Sequence, residues 1–332
     1  MSSRPGVHII FTGGTISMRV DPATGAAVPA LSGEEIVARV PGLKKEARLS
    51  FEDFARLPGP HVTPEWMWTL RARVIEVLAD ENISGVVITH GTDTLEETAF
   101  LLHLTVASPK PIVLCGAMRT ISDPGWDGPA NLRAAVRTAM HRDAVGRGAL
   151  VTVGEEIHSG AEATKWHTQA LGAFRSSRGP IGGFDRGFVL FHRAPERGPV
   201  LAPKALVTNV DLHVMAAGTD DLLLCASLAR GARGLVIEAT GCGNVPPSAL
   251  PGVHAALSKR VPLVLVSRCG SGRVTEAYGY EGGGQQLRKL GLIFGGDLTG
   301  PRARIKLMVA LGATSDEREL RLFFEGDGSR LA

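Results

Sequence analysis

The stretch Gly85–Val106, GVVITHGTDTLEETAFLLHLTV, decides the fold. Gly85–Thr89 is a short apolar run rich in β-branched residues, the pattern of a buried strand. His90-Gly91-Thr92-Asp93-Thr94 is a polar turn. From Leu95 to Val106 apolar residues recur at helical spacing behind Glu96 and Glu97, whose charges suit a helix start. A turn between strand and helix lies at the carboxyl end of a parallel strand, where open α/β sheets place ligands. The N-terminus carries a second copy: Val7–Phe11 reads as a strand, and Thr12-Gly13-Gly14-Thr15-Ile16-Ser17 as a tight Gly-rich turn. Two hydroxyl-bearing turns at neighbouring strand ends can face one substrate.

Outward from these units the alternation continues. Ser32 followed by Glu35 predicts a capping box and a short helix to Val40. Leu49–Phe54 reads as an edge strand, and Leu57-Pro58-Gly59-Pro60 as loop. Thr63-Pro64-Glu65 starts a helix to about Asp80, with Trp66, Leu70, Val74 and Val77 as its apolar stripe. Trp66 and Trp68 read as packing residues. Strands are expected at Pro111–Cys115, Ala149–Val153 and Phe188–Phe191, a helix from Gly128 to His141, and a polar loop over 154–168 that holds Lys165. This order predicts a parallel sheet covered on both faces. His192–Lys204, with three prolines and several charges, reads as a linker. Beyond it, strands are expected at Ala205–Asn209, Gly234–Ala239, Pro262–Ser267 and Leu292–Phe294, and helices around 220–230, 248–260 and 301–311. The fold class is therefore α/β in two domains, a large N-terminal one over 1–191 and a smaller one over 205–332.

Composition narrows the function. A chain of 332 residues is long enough for two domains and a large core. A net charge of +3, with no Lys/Arg cluster interleaved with aromatics, argues against nucleic acid as a partner. The four cysteines form no Cys-x-x-Cys pair and read as free thiols in a reducing compartment. MSSRPGVHII has no basic segment followed by a long apolar one, and no run approaches a membrane span. The expectation is a cytoplasmic protein without a membrane partner, unless a leader preceded this sequence.

The chemistry points to threonine. A threonine hydroxyl is a poor nucleophile unless a base and an oxyanion site support it. Gly13-Gly14 can bring backbone N–H groups close to a ligand, although the same residues also make an ordinary tight turn; no Gly-Lys-Ser/Thr follows, so it is not a P-loop. Thr92 and Asp93 share one turn, and Thr94 or Asp93 can also cap the helix behind it. A lysine desolvated beside Thr92 can act as base, and Lys165, after another strand, is a candidate. The ten histidines show no metal-ligand spacing, and His90 reads as a hydrogen-bonded turn residue. Gly270-Ser271-Gly272 is not a serine nucleophile elbow, and Gly241-Cys242-Gly243-Asn244 lacks the third glycine of a dinucleotide fingerprint.

These residues together resemble the bacterial-type L-asparaginases. Thr12–Ile16, His90–Thr94, Gly116-Ala117-Met118-Arg119, Asp127–Leu132, Ala163-Thr164-Lys165 ahead of Gly179–Gly182, and the Gly-rich Tyr278–Gly284 carry the likeness in order over essentially the whole chain. The resemblance implies an amidohydrolase in which a threonine attacks the side-chain amide of asparagine, ammonia leaves, and water releases aspartate. It implies Thr15, Thr92, Asp93 and Lys165 as catalytic: Thr15 matches the flexible-loop threonine that is the family's usual first nucleophile, and Thr92, Lys165 and Asp93 match a second Thr–Lys–Asp group, while the sequence leaves open which threonine attacks first. It implies Gly14, Gly91, Thr92, Asp93 and Ala117 as substrate-binding, Asp93 holding the α-amino group, and Asn244 reaching in from a neighbouring subunit. Glu276 lies near the place of another partner-subunit residue. No metal or organic cofactor is implied. The family's two α/β domains assemble as homodimers or homotetramers.

Two departures stand out. The family carries a tyrosine in the loop after the first threonine; here the place falls at Ala26 or Ala27, and the two tyrosines of the chain are Tyr278 and Tyr280. Gly59 stands where the family has a serine that grips the substrate α-carboxylate. Hydrolysis of another small amide, and a catalytically silent amino-acid-binding relative, are the competing readings. A tRNA-dependent amidotransferase subunit also resembles the family, but it carries an extra N-terminal domain for which the residues ahead of Thr15 leave no room.

Overall fold

The computed structural model describes residues 4–194 and 197–326. The chain forms two compact units, Met1–Val200 and Leu201–Ala332. The expected linker 192–204 spans this division; its Pro195 and Glu196 lie outside the described residues.

The first unit runs β1 (Gly6–Gly13), β2 (Met18–Val20), β3 (Ala27–Pro29), α1 (Gly33–Ala38), α2 (Leu43–Glu46), β4 (Arg48–Leu57), α3 (Pro64–Ala79), β5 (Gly85–Thr89), α4 (Leu95–Thr105), β6 (Ile112–Cys115), α5 (Gly128–Met140), β7 (Ala149–Val153), β8 (Glu156–Ser159), β9 (Thr164–Lys165), β10 (Phe174–Arg175), β11 (Gly182–Asp185) and β12 (Phe188–Phe191). Its eight-stranded sheet has the order β12-β11-β8-β7-β6-β5-β1-β4. The strands β4, β1, β5, β6 and β7 are parallel; β8, β11 and β12 add an antiparallel flank. Both faces are buried, as the apolar strands predict. Val7, Ile9, Phe11, Val87 and Val113 pack with Leu132 and Val136 of α5. Ile10, Val86, Ile88 and Leu114 pack on the opposite face with Leu70 and Val74 of α3 and Leu95 and Leu102 of α4. This alternation follows from the two-residue period of a strand.

Local signals set the helix ends. Ser32 and Glu35 form the capping box of α1, and Thr63 caps α3 ahead of Pro64. The polar segment 154–168 is not a loop throughout: it contains β8 and β9, so Lys165 stands on a strand paired with β10.

The second unit runs β13 (Val210–Val214), α6 (Leu222–Ala229), β14 (Gly234–Ala239), α7 (Leu250–Ser258), β15 (Leu263–Ser267), α8 (Gly284–Leu290), β16 (Ile293–Phe294), α9 (Gly300–Ala313) and α10 (Glu317–Glu325). Its sheet, β13-β14-β15-β16, is wholly parallel. The strand expected at Ala205–Asn209 forms at Val210–Val214 instead; there Val210 is fully buried and pairs with Gly234, while Ala205–Asn209 stays irregular. Helices α8 and α10 are additions to the expected elements. Among the described residues no helix is long and apolar enough to cross a membrane.

Candidate active site

Parallel pairing brings the two hydroxyl-bearing turns together. Phe11 of β1 lies beside Thr89 of β5, so both chains leave the sheet side by side. Thr12 Oγ1 donates to Thr89 O at 2.6 Å and ties the exits. Beyond them glycines meet without side chains. A Cβ on Gly14 would lie 2.5 Å from Gly91 Cα, and one on Gly91 would lie 2.6 Å from Gly59 Cα. Gly14 also has φ 79°, a conformation that L side chains rarely adopt. Thr15 follows Gly14 and Thr92 follows Gly91, so backbone contact sets their neighbourhood. The Gly14 N–H donates to Leu57 O at 2.9 Å, so this donor binds the turn to β4 and is not free for a ligand.

Thr92 is 5 % exposed. Lys165 Nζ lies 2.9 Å from Thr92 Oγ1 and 2.6 Å from Asp93 Oδ1. The lysine head is largely enclosed, whereas the Asp93 carboxylate is half exposed. As an ammonium, Lys165 donates to both oxygens; as an amine, it can accept the Thr92 proton along the same contact. A hydroxyl, an amine and a carboxylate in line are the parts of a base-activated nucleophile.

Thr94 stands at the N-cap of α4 without a capping bond; its hydroxyl donates to Gly59 O at 2.9 Å and joins the turn after β4 to the turn after β5. His90 is buried with both nitrogens engaged, Nδ1 on Gly91 O at 2.8 Å and Nε2 on Thr98 Oγ1 at 2.9 Å. Burial pushes its pKa down to about 4, so at neutral pH it is an uncharged strut of the turn. Trp66 packs edge-on against it and against Phe54.

Ala117 is fully buried. The neighbouring Gly116 leaves no room for a Cβ, which would lie 2.9 Å from Thr92 Cγ2. Asp127 holds this loop by accepting the N–H groups of Met118 and Arg119, and Asn131 donates to Gly116 O and to Asp127. The Gly-Ala-Met-Arg and Asp-Gly-Pro-Ala-Asn motifs are thus one hydrogen-bonded unit beside Thr92.

Thr15, Thr92, Asp93, Lys165, Gly14, Gly91 and Ala117 all belong to the first unit, and Asn244 to the second. The Asn244 Oδ1 atom is enclosed yet finds no donor among the described residues. Tyr278 and Tyr280 stack at 5.3 Å between ring centroids, both exposed, in the second unit. Sequence reasoning misses Glu96, whose carboxylate accepts the Lys165 N–H; its place one residue inside α4 signals only a helix-start charge.

Comparisons with known proteins place the whole chain beside asparaginases. The family model for the asparaginase N-terminal domain matches residues 6–197, and that for the glutaminase/asparaginase C-terminal domain matches 209–324. A probable L-asparaginase of Deinococcus radiodurans is 39% identical, the match covering 97% of this chain and 98% of that one. An L-asparaginase of Bacillus licheniformis is 32% identical over 92% of this chain and 95% of its own. The crystal structure of a probable cytoplasmic L-asparaginase from Campylobacter jejuni superposes with a TM-score of 0.87 at 29% identity, covering 97% of this chain and 99% of that one.

Proposed function

This chain belongs to the asparaginase family of amidohydrolases, and from that premise we propose that it hydrolyses the side-chain amide of L-asparagine with a threonine as nucleophile. The observation that carries the reading is Lys165 Nζ between Thr92 Oγ1 and Asp93 Oδ1, in a turn that packs against the one bearing Thr15. Lys165 takes the Thr92 proton, and Asp93 holds the lysine in place. The activated hydroxyl adds to the amide carbon, the C–N bond breaks, and the nitrogen leaves with the transferred proton as ammonia. A water then adds to the resulting ester, the acid is released, and the hydroxyl regains its proton. Thr15 supplies the second hydroxyl of the site. Gly14, Gly91, Asp93 and Ala117 line the substrate, and no cofactor enters these steps.

Thr92→Ala and Lys165→Met each should reduce ammonia release by at least about 10²-fold, the scale of lost acid–base help. Near-normal turnover by either purified, folded variant would remove the assignment. Gly59-Pro60 favours a second reading, a small amide without an α-carboxylate, because Gly59 has no hydroxyl and Pro60 no N–H. Rates on asparagine, glutamine and the decarboxylated amide separate the two.

Three further parts belong to the same proposal. Asn244 serves a neighbouring copy in a homodimer or homotetramer. Residues 192–204 link a domain over 1–191 to one over 205–332. The protein acts in the cytoplasm, the compartment for which the Campylobacter jejuni relative is named.

A further inference from the structure

We propose that Glu96 is a positioning residue for Lys165: its carboxylate clamps the Lys165 backbone N–H, so that one turn–helix unit holds this lysine at both ends. The inference rests on the reading of Lys165 as the base for Thr92.

Lys165 stands on β9, a two-residue strand outside the main sheet, with β10 along one edge. Successive N–H groups of an extended chain point to opposite edges. The Trp166 N–H donates to Ala173 O at 2.7 Å, on the β10 side. The Lys165 N–H therefore points away from β10 and needs another acceptor. Glu96 Oε2 takes it at 2.5 Å. Glu96 is 7 % exposed, and an unpaired N–H in such surroundings would carry a desolvation cost. A carboxylate acceptor makes the stronger, charge-assisted bond. The charge itself is favoured where it sits, in the first turn of α4.

Thr92 and Asp93 hold the Nζ end, and Glu96 holds the backbone end. The holders are local to each other in sequence and ride on β5–α4, while β9 has little sheet of its own. Lysine has a flexible four-carbon stem, so the position of its backbone decides where the amine can rest. A misplacement of about 1 Å can cost about 10²-fold in rate.

Two variants separate reach from charge. Glu96→Gln keeps the reach and an acceptor oxygen and removes the charge. Glu96→Asp keeps the charge and withdraws the carboxylate by one methylene. Each is compared with the wild-type protein and Lys165→Met for ammonia release from asparagine, glutamine and the decarboxylated amide, for thermal stability, and for hydrogen exchange at the Lys165 amide. Glu96→Asp is expected to lose about 10- to 100-fold in kcat with KM nearly unchanged, and to exchange faster at Lys165. Glu96→Gln is expected to keep most of kcat and the amide protection. The reverse order, or Glu96→Asp at wild-type kcat beside an inactive Lys165→Met, overturns the clamp and leaves the base assignment intact. Equal losses in both variants that track their thermal stability also overturn it, because that is a structural role alone. An active Lys165→Met overturns the base assignment, and the clamp's catalytic role with it.

Discussion

Single residues at this site are constrained mainly by what they lack. Gly14, Gly91 and Gly59 stack backbone on backbone, and a Cβ on either of the first two would strike main-chain atoms. Gly59 differs. Its Cβ would meet Asp93 Cβ at 3.2 Å and Asp93 Oδ2 at 3.5 Å, and its φ is one that side chains adopt freely. At 3.2 Å the turn bearing Asp93 need shift by only a few tenths of an ångström. Gly59→Ser should therefore fold and should place a hydroxyl beside Asp93. A hydrogen bond to a charged group contributes roughly 1.5–3 kcal/mol, so KM for asparagine should fall by about one to two decades. Preference over the decarboxylated amide should rise with it. Steady-state kinetics on both amides checks this, and an unchanged ratio would show that another group already holds the carboxylate.

At the scale of elements, α4 and the turn before it bury two histidines, and both respond to acid. His90 and His103 are 0 % and 5 % exposed, and burial pushes each pKa down from 6.5 to about 4. The folded state keeps them neutral, while the unfolded chain protonates them below its own pKa near 6.5. Their contribution is thus fully present above pH 6.5 and is lost as the pH falls towards 4. Each shift corresponds to a loss on the order of 3 kcal/mol across that window. The groups that act on His103 are Ala149, Arg197 and Glu162, and none of the polar contacts of Lys165 with Thr92, Asp93 and Glu96 involves it, so His103→Gln separates the effect from the site. Thermal melts from pH 7 to 4.5 should show a shallower acid loss for His103→Gln than for the wild type. Parallel curves would mean that carboxylates alone set the acid limit.

At the scale of the whole molecule, the proposal assigns residues of both units to a site shared between copies. Thr15, Thr92, Asp93 and Lys165 lie in the first unit, and Asn244, with its enclosed Oδ1 lacking a donor among the described residues, lies in the second. A site that takes a group from a neighbouring copy loses it when the copies separate. Activity per chain should then fall on dilution below the dissociation constant of the assembly. Initial rates over a dilution series, with sedimentation under the same conditions, test this. A fully active monomer would refute the shared site.

Much of this architecture was legible in the sequence because its signals are local. The apolar runs Gly85–Thr89 and Gly234–Ala239 match their strands end to end, since strands buried on both faces are almost wholly apolar; Glu238, the one charged residue in them, accepts the Gly300 N–H. Ser32, Glu35, Thr63 and Pro64 marked helix starts through bonds within one turn. The turn motifs Thr12–Ser17 and His90–Thr94 could be paired because adjacent parallel strands end together. Tertiary structure alone decided the rest. The strands β9 and β10 are two residues each, too short for any period to show, and pair antiparallel across the segment 166–173. The strand expected at Ala205–Asn209 moved to Val210–Val214 because pairing with β14, not local propensity, chose the register. The approach of Lys165 to Thr92 and the hold of Glu96 on Lys165 span 73 and 69 residues. No local propensity encodes such distances; packing of the sheet and its helices sets them.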